Sequence, residues 1–287
     1  MIRLWQTLWL FFSASLLVHA QIDLDDPEVR KKIIAQAVEV TSTPKKQADG
    51  TTEFYEPFTR SPYKGTGWVV IYYDDGIKLN ALIQFKGGKR NGLETSWHEN
   101  GQKQSEGNWK DGKQEGLVTK WYENGIKKFE GNFKDGKQDG FSTIWHENGE
   151  KKAEGNWRDG KQDGLVTKWY ENGIKKAVAN FKDSKQEGLI TVWYDNGIKE
   201  AEANFKNGKQ DGLTTQWHEN GIKEAEANWN DGKNDGLATF WHENGQIKCE
   251  ENWKNGKQDG LYSDWYENGI KKAERNFKDG KFDGIST

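Results

Sequence analysis

The sequence is poor in the residues that brace small proteins covalently or stiffen their loops. Its 287 residues include one cysteine, Cys249, and four prolines. A single cysteine excludes an intramolecular disulfide, so no disulfide framework holds this chain together. Stability must therefore come from noncovalent packing.

Net charge and hydrophobic residues are also scarce. The 42 Lys and Arg residues nearly balance the 45 Asp and Glu residues, and 33% of the chain is hydrophobic. Nucleic-acid-binding proteins present a basic face, so this balance argues against nucleic acid as a partner. The chain is rich instead in Trp (15 residues) and Gly (33 residues). Glycine supplies turn dihedral angles and aromatic residues favour strands, so the composition predicts many short strands joined by tight turns.

The first twenty residues, MIRLWQTLWLFFSASLLVHA, differ from all that follows. Arg3 precedes an apolar run from Leu8 to Val18, and Val18 and Ala20 occupy the positions that determine cleavage. The run is shorter than the ~20 residues that a membrane-spanning helix needs. We therefore predict a signal peptide over residues 1–20, cleaved after Ala20, and a secreted or periplasmic protein with no transmembrane segment in its mature chain. An uncleaved membrane anchor is the alternative.

Residues 21–60 form a second region, outside the repeats. The stretch DDPEVRKKIIAQAVEV predicts a short helix, with Asp25 or Asp26 as its N-cap and Pro27 in its first turn. The stretch TSTPKKQADGTT is typical of a linker. We expect the helix to cover the first hairpin of the next region.

The third region, residues 61–287, is an internal repeat with a period of 24 residues. The twelve residues LVTKWYENGIKK occur at 117–128 and again at 165–176, two periods later. An irregular unit starts at Gly67, and the last unit breaks off in GIST. Tryptophan marks the period in eight successive units, at Trp97, Trp121, Trp145, Trp169, Trp193, Trp217, Trp241 and Trp265. Such an array predicts a solenoid-like stack in which each unit contacts its neighbours.

Two turn signals divide each unit. ENG at 123–125 and DG at 135–136 are both hairpin markers, and the runs between them are too short for helices. The sequence therefore predicts an all-β fold, an elongated antiparallel β-meander with two strands per unit. A three-residue loop with a left-handed Gly125 separates an apolar from a polar face, so we predict one aromatic face that combines Leu117, Thr119 and Trp121 with Phe129, Gly131 and Phe133.

The motif GLVTKWYENGIKKFEGNFKDGKQDG resembles the MORN repeat in its bacterial variant form, the pattern of the YwqK-family antitoxins. The resemblance runs from about Gly65 to the end and recurs in every unit. It implies a β-meander and a role in scaffolding or partner binding. It supplies no catalytic residues.

Residues capable of chemistry recur as repeat positions and form no unique site. Adjacent units would stand about 10 Å apart, too far for their histidines to share a metal ion. The carboxylates of each DGKQDG turn offer too few oxygens for calcium, and Cys249 stands where other units have Ala or Phe. We predict no catalytic, cofactor-binding or metal site and no enzymatic activity. The histidines that alternate with tyrosine at one position are His98, His146, His218 and His242.

The tryptophan series is the candidate binding site. We predict that the eight indoles form a stripe, part of which binds a protein partner, and that the chain has an interaction or scaffolding role. Coiling of the sheet, which would bury the stripe as core, is the structural alternative. A carbohydrate-binding platform on the cell envelope is the first functional alternative, and an antitoxin or immunity protein is the second. A second copy of the chain is the other candidate to cover this face.

Overall fold

A computed structural model describes residues 22–39, 45–46, 52–53, 63–74 and 76–284. The predicted signal peptide, its cleavage point and most of the predicted linker lie outside these ranges. Within them, the helix α1 spans Pro27–Ile34. The strands are β1 Val38–Glu39, β2 Lys45–Lys46, β3 Thr52–Glu53, β4 Gly67–Tyr72, β5 Leu79–Lys86, β6 Lys89–Trp97, β7 Lys103–Lys110, β8 Lys113–Trp121, β9 Lys127–Lys134, β10 Lys137–Trp145, β11 Lys151–Arg158, β12 Lys161–Trp169, β13 Lys175–Lys182, β14 Lys185–Gln186, β15 Gly188–Trp193, β16 Lys199–Lys206, β17 Lys209–Trp217, β18 Lys223–Asn230, β19 Lys233–Trp241, β20 Ile247–Lys254, β21 Lys257–Trp265, β22 Lys271–Lys278 and β23 Lys281–Phe282.

Strands β4 to β23 pair in chain order as an antiparallel meander within one open sheet. β1 adds a parallel strand beside β4, which brings the sheet to 21 strands, and β2 and β3 form a separate hairpin. β14 and β15 both pair with β13 and act as one strand interrupted at Glu187. The predicted all-β meander with a short N-terminal helix is confirmed.

Both turns of each unit follow the sequence signals. In the DG turn, Asp135 and Gly136 have φ of 50° and 80°, the left-handed pair of a two-residue hairpin. In the ENG loop, the Tyr122 N–H donates to the carbonyl of Ile126 at 2.9 Å, and Gly125 has φ of 82°. The three-residue loop with a left-handed Gly125 is therefore present as predicted.

A β-bulge after this loop shifts the register of the two strands. Trp121 pairs with Lys127, but the next pair is Lys120 with Phe129, so the ladder skips Lys128. The same shift recurs in the other hairpins of the array. Because side chains alternate along a strand, a slip of one residue moves every following side chain to the opposite face.

The two faces of the sheet therefore differ from the predicted ones. The tryptophan face presents, in the unit of Trp121, the side chains of Leu117, Thr119, Trp121, Lys127 and Glu130. The glycine face presents those of Val118, Lys120, Phe129, Gly131 and Phe133. The single aromatic face of the prediction is wrong, because the second-strand aromatics lie on the glycine face, at Trp109, Phe133, Trp157, Phe181, Phe205, Trp229, Trp253 and Phe277.

The glycine face packs branched side chains against small residues. Val166 is 5% exposed and lies between Gly155 and Ala179 of the neighbouring strands. A Cβ atom added to Gly155 would lie 2.9 Å from Cγ2 of Val166, so a larger residue there would displace the valine. Val118 is 2% exposed beside Gly107 and Gly131, whereas the predicted register would have put it on the polar face, opposite Leu117 and Thr119.

The N-terminal end of the sheet has a core on each face. On the glycine face, the ring of Tyr63 packs edge-on against Phe85 at 5.4 Å between centroids. On the tryptophan face, Leu24, Leu82 and Trp97 are at most 3% exposed and cluster together. The segment around α1 covers this second cluster, as expected for a helix over the first hairpin.

Asp26 is the N-cap of α1. Its side chain accepts the backbone N–H of Glu28 at 2.8 Å and that of Val29 at 3.4 Å, and Pro27 occupies the first turn. Ile33 and Ile34 pack against the cluster of Leu24. Tertiary packing therefore holds this short helix, since eight residues are marginal alone.

Ser184 occupies a turn position where most other units have glycine. Its φ of 65° is strained for a residue with a side chain. We expect relief of this strain in Ser184→Gly to raise the free energy of unfolding by about 1 kcal/mol. Loss of the 3.1 Å hydrogen bond that the serine Oγ accepts from the Gln162 N–H will offset part of this gain. Urea denaturation measures it. The matched Gly160→Ser variant should lose a similar amount; unchanged stability in both would contradict the strain.

Candidate functional site

The eight predicted tryptophans all end the first strand of their units and share the tryptophan face. Trp97 is 3% exposed beneath the N-terminal segment. The other seven are half-buried. The structure thus places the eight indoles on one face and leaves seven of them partly exposed, at Trp121, Trp145, Trp169, Trp193, Trp217, Trp241 and Trp265.

A lysine of the preceding unit lies over most of these rings. Nζ of Lys127 is 5.9 Å from the ring centroid of Trp145 and 2.6 Å from Oε2 of Glu130. A cation over an indole contributes about 0.5–1 kcal/mol at an exposed site, so these contacts join neighbouring units and orient the rings. The pattern repeats with Lys103 over Trp121, Lys151 over Trp169, Lys199 over Trp217 and Lys223 over Trp241.

Threonine and glutamate fill the middle of the same face. Thr119 is 8% exposed and pairs with Glu130 on the next strand. In the first copy, Oγ1 of Thr95 donates to Oε2 of Glu106 at 3.3 Å. The glutamates therefore cover the threonine row and form ion pairs with the lysines that lie over the indoles.

A row of large apolar side chains runs along the other side of the threonines. These residues are about half exposed, whereas the equivalent Leu93 of the first copy packs against the core of the N-terminal segment. An exposed asparagine of the intervening strand separates successive members, as Asn132 separates Leu117 from Phe141. Exposed large apolar side chains that recur along one sheet face are a candidate interaction surface. The row consists of Leu117 (50% exposed), Phe141 (49%), Leu165 (56%), Leu189 (51%), Leu213 (43%), Leu237 (45%) and Leu261 (46%).

The first copy of the tryptophan face is occupied by the chain's own N-terminal segment. Leu24 is 1% exposed in the cluster with Trp97. Oδ2 of Asp25 lies 2.9 Å from Nζ of Lys103, and the Arg30 guanidinium lies 5.7 Å from the centroid of Trp97. Where this segment ends, a cleft of about 470 Å³ opens toward Trp121.

The alternating histidines and tyrosines form a hydrogen-bond ladder between units. The Tyr122 hydroxyl donates to the carbonyl of Trp145 at 2.7 Å, and Nε2 of His146 lies 3.2 Å from the carbonyl of Trp169. Burial, and then the carboxylate of Glu147, raise the pKa of Tyr122, so its hydroxyl remains a donor. Tyrosine and histidine interchange because each reaches the same carbonyl of the next unit.

Removing one rung of this ladder should weaken the array measurably. We expect Tyr122→Phe to lower the free energy of unfolding by about 1–2 kcal/mol, because the Trp145 carbonyl loses its partner while the ring is kept. Urea denaturation measures the change. Tyr266→Phe is the matched control, since the described residues include no following unit for Tyr266, and it should cost under about 0.5 kcal/mol. Equal losses in both variants would contradict the ladder.

Comparison with protein families identifies the repeat. The model of the MORN repeat variant matches segments that together cover more than half of the 287 residues, at 90–111, 114–135, 162–183, 186–207, 210–231, 234–255 and 258–279. The chain belongs to the MORN repeat variant family. Proteins with MORN repeats are often involved in binding proteins or membranes. No curated protein matches the sequence significantly.

The MORN match identifies the repeat and does not support an antitoxin function. The antitoxin role stays a prediction. It leaves out the unit at 137–158, although β10 and β11 pair there as in the other units. In the part of the chain that the structure describes, no helix is both long and apolar enough to cross a membrane.

The paired carboxylates of the MORN turns hold neighbouring turns together. Oδ2 of Asp139 accepts the backbone N–H of Asp159 at 3.2 Å, and Oε2 of Glu115 accepts that of Asp135 at 3.1 Å. Their spacing thus follows from contact with the next turn. Among the described residues, no group of three His, Cys, Asp or Glu side chains has a metal-binding arrangement.

Cys249 lies half-buried on the glycine face, opposite Phe240 and Asp264. Burial, and then the charge of Glu251, raise the pKa of its thiol from 9.0 to about 11. The thiolate, which is the nucleophile, is therefore suppressed at neutral pH.

Alkylation should reveal this suppression. At pH 9, a pKa of about 11 leaves about fiftyfold less thiolate than the ordinary thiol has. We expect Cys249 to react with iodoacetamide about fiftyfold more slowly in the native protein than in urea, measured by mass spectrometry. Equal rates in the two conditions would contradict the burial of the thiol.

The sequence predicted the tryptophan stripe but not two other features of the tryptophan face. The leucine row was visible as an apolar residue that recurs every 24 positions, but the wrong register placed it on the same face as Phe133. The occupation of the first copy by Leu24 and Asp25 depends on a contact across about 70 residues, for which the sequence has no local signal.

Proposed function

We propose that this MORN repeat protein is a non-enzymatic interaction protein that binds a protein partner along the tryptophan face. One observation supports the proposal: the same face occurs in eight copies, and among the described residues the N-terminal segment covers the first copy and leaves the other seven partly exposed. An enzyme needs a singular site, whereas this face repeats one set of side chains.

Two other ligand classes fit the face less well. A polybasic surface would favour anionic membranes, but the lysines here are paired with glutamates, as Lys127 is with Glu130. Carbohydrates stack on exposed aromatic faces, and here lysine ammonium groups lie over the rings of Trp145 and Trp169. A glycan would have to displace them.

A cross-linked pull-down from the source cell's envelope fraction tests the proposal, with residues 21–287 as bait. We expect one protein in near-stoichiometric yield with the native bait. The double variant Leu165→Glu/Leu189→Glu, which puts two charges into the apolar row, should lose it. The matched control Lys168→Glu, on the glycine face, should keep it.

The outcomes separate the alternatives. Retention of the partner by the double variant would refute the tryptophan face as the binding surface. Recovery of glycan without protein would replace the proposal by the carbohydrate platform. Recovery of a single toxin would narrow it to the immunity role.

We also propose that the chain works outside the cytoplasm. The features that support this are Arg3, the apolar run from Leu8 to Val18 and the small residue Ala20. Mass spectrometry of the protein from the source cell tests it: a mature N-terminus at Gln21 is the expected result. An intact chain in the cytoplasmic fraction would overturn it.

A further inference from the structure

The covered first copy of the tryptophan face is a filled binding site, and its occupant can be described chemically. Leu24 enters between Val70, Leu82 and Trp97 and is 1% exposed. Ile33 and Ile34 of the helix pack beside it. The apolar part of the occupant is therefore aliphatic and comes from a short amphipathic segment.

The polar part of this contact is a carboxylate on a lysine, beside the Arg30 guanidinium over the ring of Trp97. Nζ of Lys103 binds Oδ2 of Asp25 at 2.9 Å and Oε2 of Glu106 at 2.8 Å. The ammonium group has three donors, so the glutamate of the sheet and the carboxylate of the occupant bind together. Burial beneath the occupant leaves the Lys103 side chain 19% exposed.

Most uncovered copies retain the same lysine bound to the glutamate of the sheet, while Ile247 stands at the lysine position of one unit and Val178 at the glutamate position of another. Lys127 binds Glu130 at 2.6 Å, and its side chain is 48% exposed. Its equivalents show similar exposure and the same pairing, with side-chain exposures of 53% at Lys151, 47% at Lys199 and 45% at Lys223. Each of these lysines presents an accessible ammonium group to a second carboxylate.

Of the apolar contacts of the first copy, Leu93 and Trp97 have counterparts farther along, whereas the repeat positions of Val70 and Leu82 hold threonine and glutamate in the next unit, at Thr95 and Glu106. Leu93 packs under the N-terminal segment, and Leu117 and Leu165 occupy the same repeat position at 50% and 56% exposure. The uncovered face is continuous with the covered one, because the 470 Å³ cleft between them is lined by Asp25, Lys103 and Trp121.

This inference rests on the proposed function. We infer that the partner presents an aliphatic, acidic amphipathic segment. Its apolar side chains pack on the leucine row and the indoles, and its carboxylates bind the lysines of the uncovered copies. A basic segment would bring like charge onto these lysines. Two tryptophan faces of this chain placed together would offer few carboxylates for these lysines, because the glutamates at this position already bind lysine except Glu250, where Ile247 takes the place of the lysine.

A peptide with the sequence of residues 22–37 tests this chemistry in trans. The fluorescein-labelled peptide is titrated with the full chain, and its anisotropy is followed up to about 1 mM protein, the range of weak single-site contacts. We expect saturable binding that weakens with salt. The peptides Asp25→Lys and Leu24→Asp should each bind about tenfold or more weakly, because each lacks one of the two contacts.

A variant of the protein locates the site. The quadruple variant Lys127→Gln/Lys151→Gln/Lys199→Gln/Lys223→Gln, which leaves Lys103 and the covered copy intact, should bind the native peptide several-fold more weakly and with a smaller dependence on salt. Lys168→Gln, on the glycine face, is the matched control and should bind it unchanged.

The results that would overturn the inference are distinct from those against the proposed function. Tighter binding of the Asp25→Lys peptide would reverse the charge of the partner while leaving the face as a binding surface. No binding of any peptide would refute the acidic aliphatic segment, whereas the pull-down with the charged double variant decides the proposed function separately. Dimerisation of the chain, seen by light scattering and abolished by Leu165→Glu/Leu189→Glu, would identify a second copy as the occupant instead.

Discussion

Replacing Leu24 with alanine is expected to lower the free energy of unfolding at the N-terminal end by about 3 kcal/mol and to expose the indole of Trp97. Leu24 is 1% exposed, and truncating a buried leucine removes its transfer free energy and leaves a cavity, together about 2–5 kcal/mol. Leu24 is also the deepest contact between the N-terminal segment and the sheet, since its neighbours Val70 and Leu82 are only 4% and 0% exposed. The helix should therefore release locally before the array unfolds.

Hydrogen exchange of the amides in β4–β6, followed with urea denaturation, measures this loss. The matched control is Leu165→Ala, which truncates a leucine that is 56% exposed and should cost under about 1 kcal/mol. A loss at Leu24 no larger than that at Leu165 would contradict the docked segment. The released variant should also bind the peptide of residues 22–37 at the vacated first copy.

Deleting residues 165–188 is expected to leave a cooperatively folded protein. The deletion removes one period of 24 residues and joins Gly164 to Leu189, which restores the dipeptide that Gly188 and Leu189 form in the native chain. The next unit then supplies an equivalent for each strand-pairing contact and each loop contact that the removed unit made with its neighbours. Because the denaturant dependence of unfolding scales with the surface exposed, we expect it to fall by roughly a tenth.

The matched control deletes half a unit, residues 165–176. It joins Gly164 to Ala177 and removes the ENG loop, so the hydrogen bonds from Tyr170 to the Trp193 carbonyl and from Asn172 to the Asp195 carbonyl are lost. With the core around Val166 also removed, we expect a loss of at least about 4 kcal/mol. Circular dichroism in a urea series measures both variants. Equal stability of the two would contradict the 24-residue unit as the building block.

The period, the strands and the turns were predictable from the sequence because each rests on local chemistry. Asp135 and Gly136 form the left-handed pair that the DG signal predicts, and Gly125 closes the three-residue loop. The tryptophan positions followed from the period alone. The residue types before Pro27 narrowed the N-cap to Asp25 or Asp26, and the structure shows that it is Asp26.

Which side chains share a face was not predictable, because the presence or absence of a single bulged residue decides it. The bulge at Lys128 follows the loop in a run of alternating polar and apolar residues. With or without the bulge, this strand has one polar and one apolar face, so its sequence does not select the register. The predicted register collected all aromatics on one face. In the structure, small residues such as Gly131 and Gly155 are needed opposite Ser142 and Val166, and this need appears only once neighbouring units are paired.

The most direct test of the tryptophan face as the binding surface is a site-specific photo-cross-linking experiment in the source cell. A photoreactive residue replaces Leu165 on the tryptophan face or, as the matched position, Lys168 on the glycine face of the same strand. We expect one discrete protein adduct from position 165, none from position 168, and loss of the adduct when Leu189→Glu is added. An adduct from position 168 with none from position 165 would contradict the assignment of the partner to the tryptophan face.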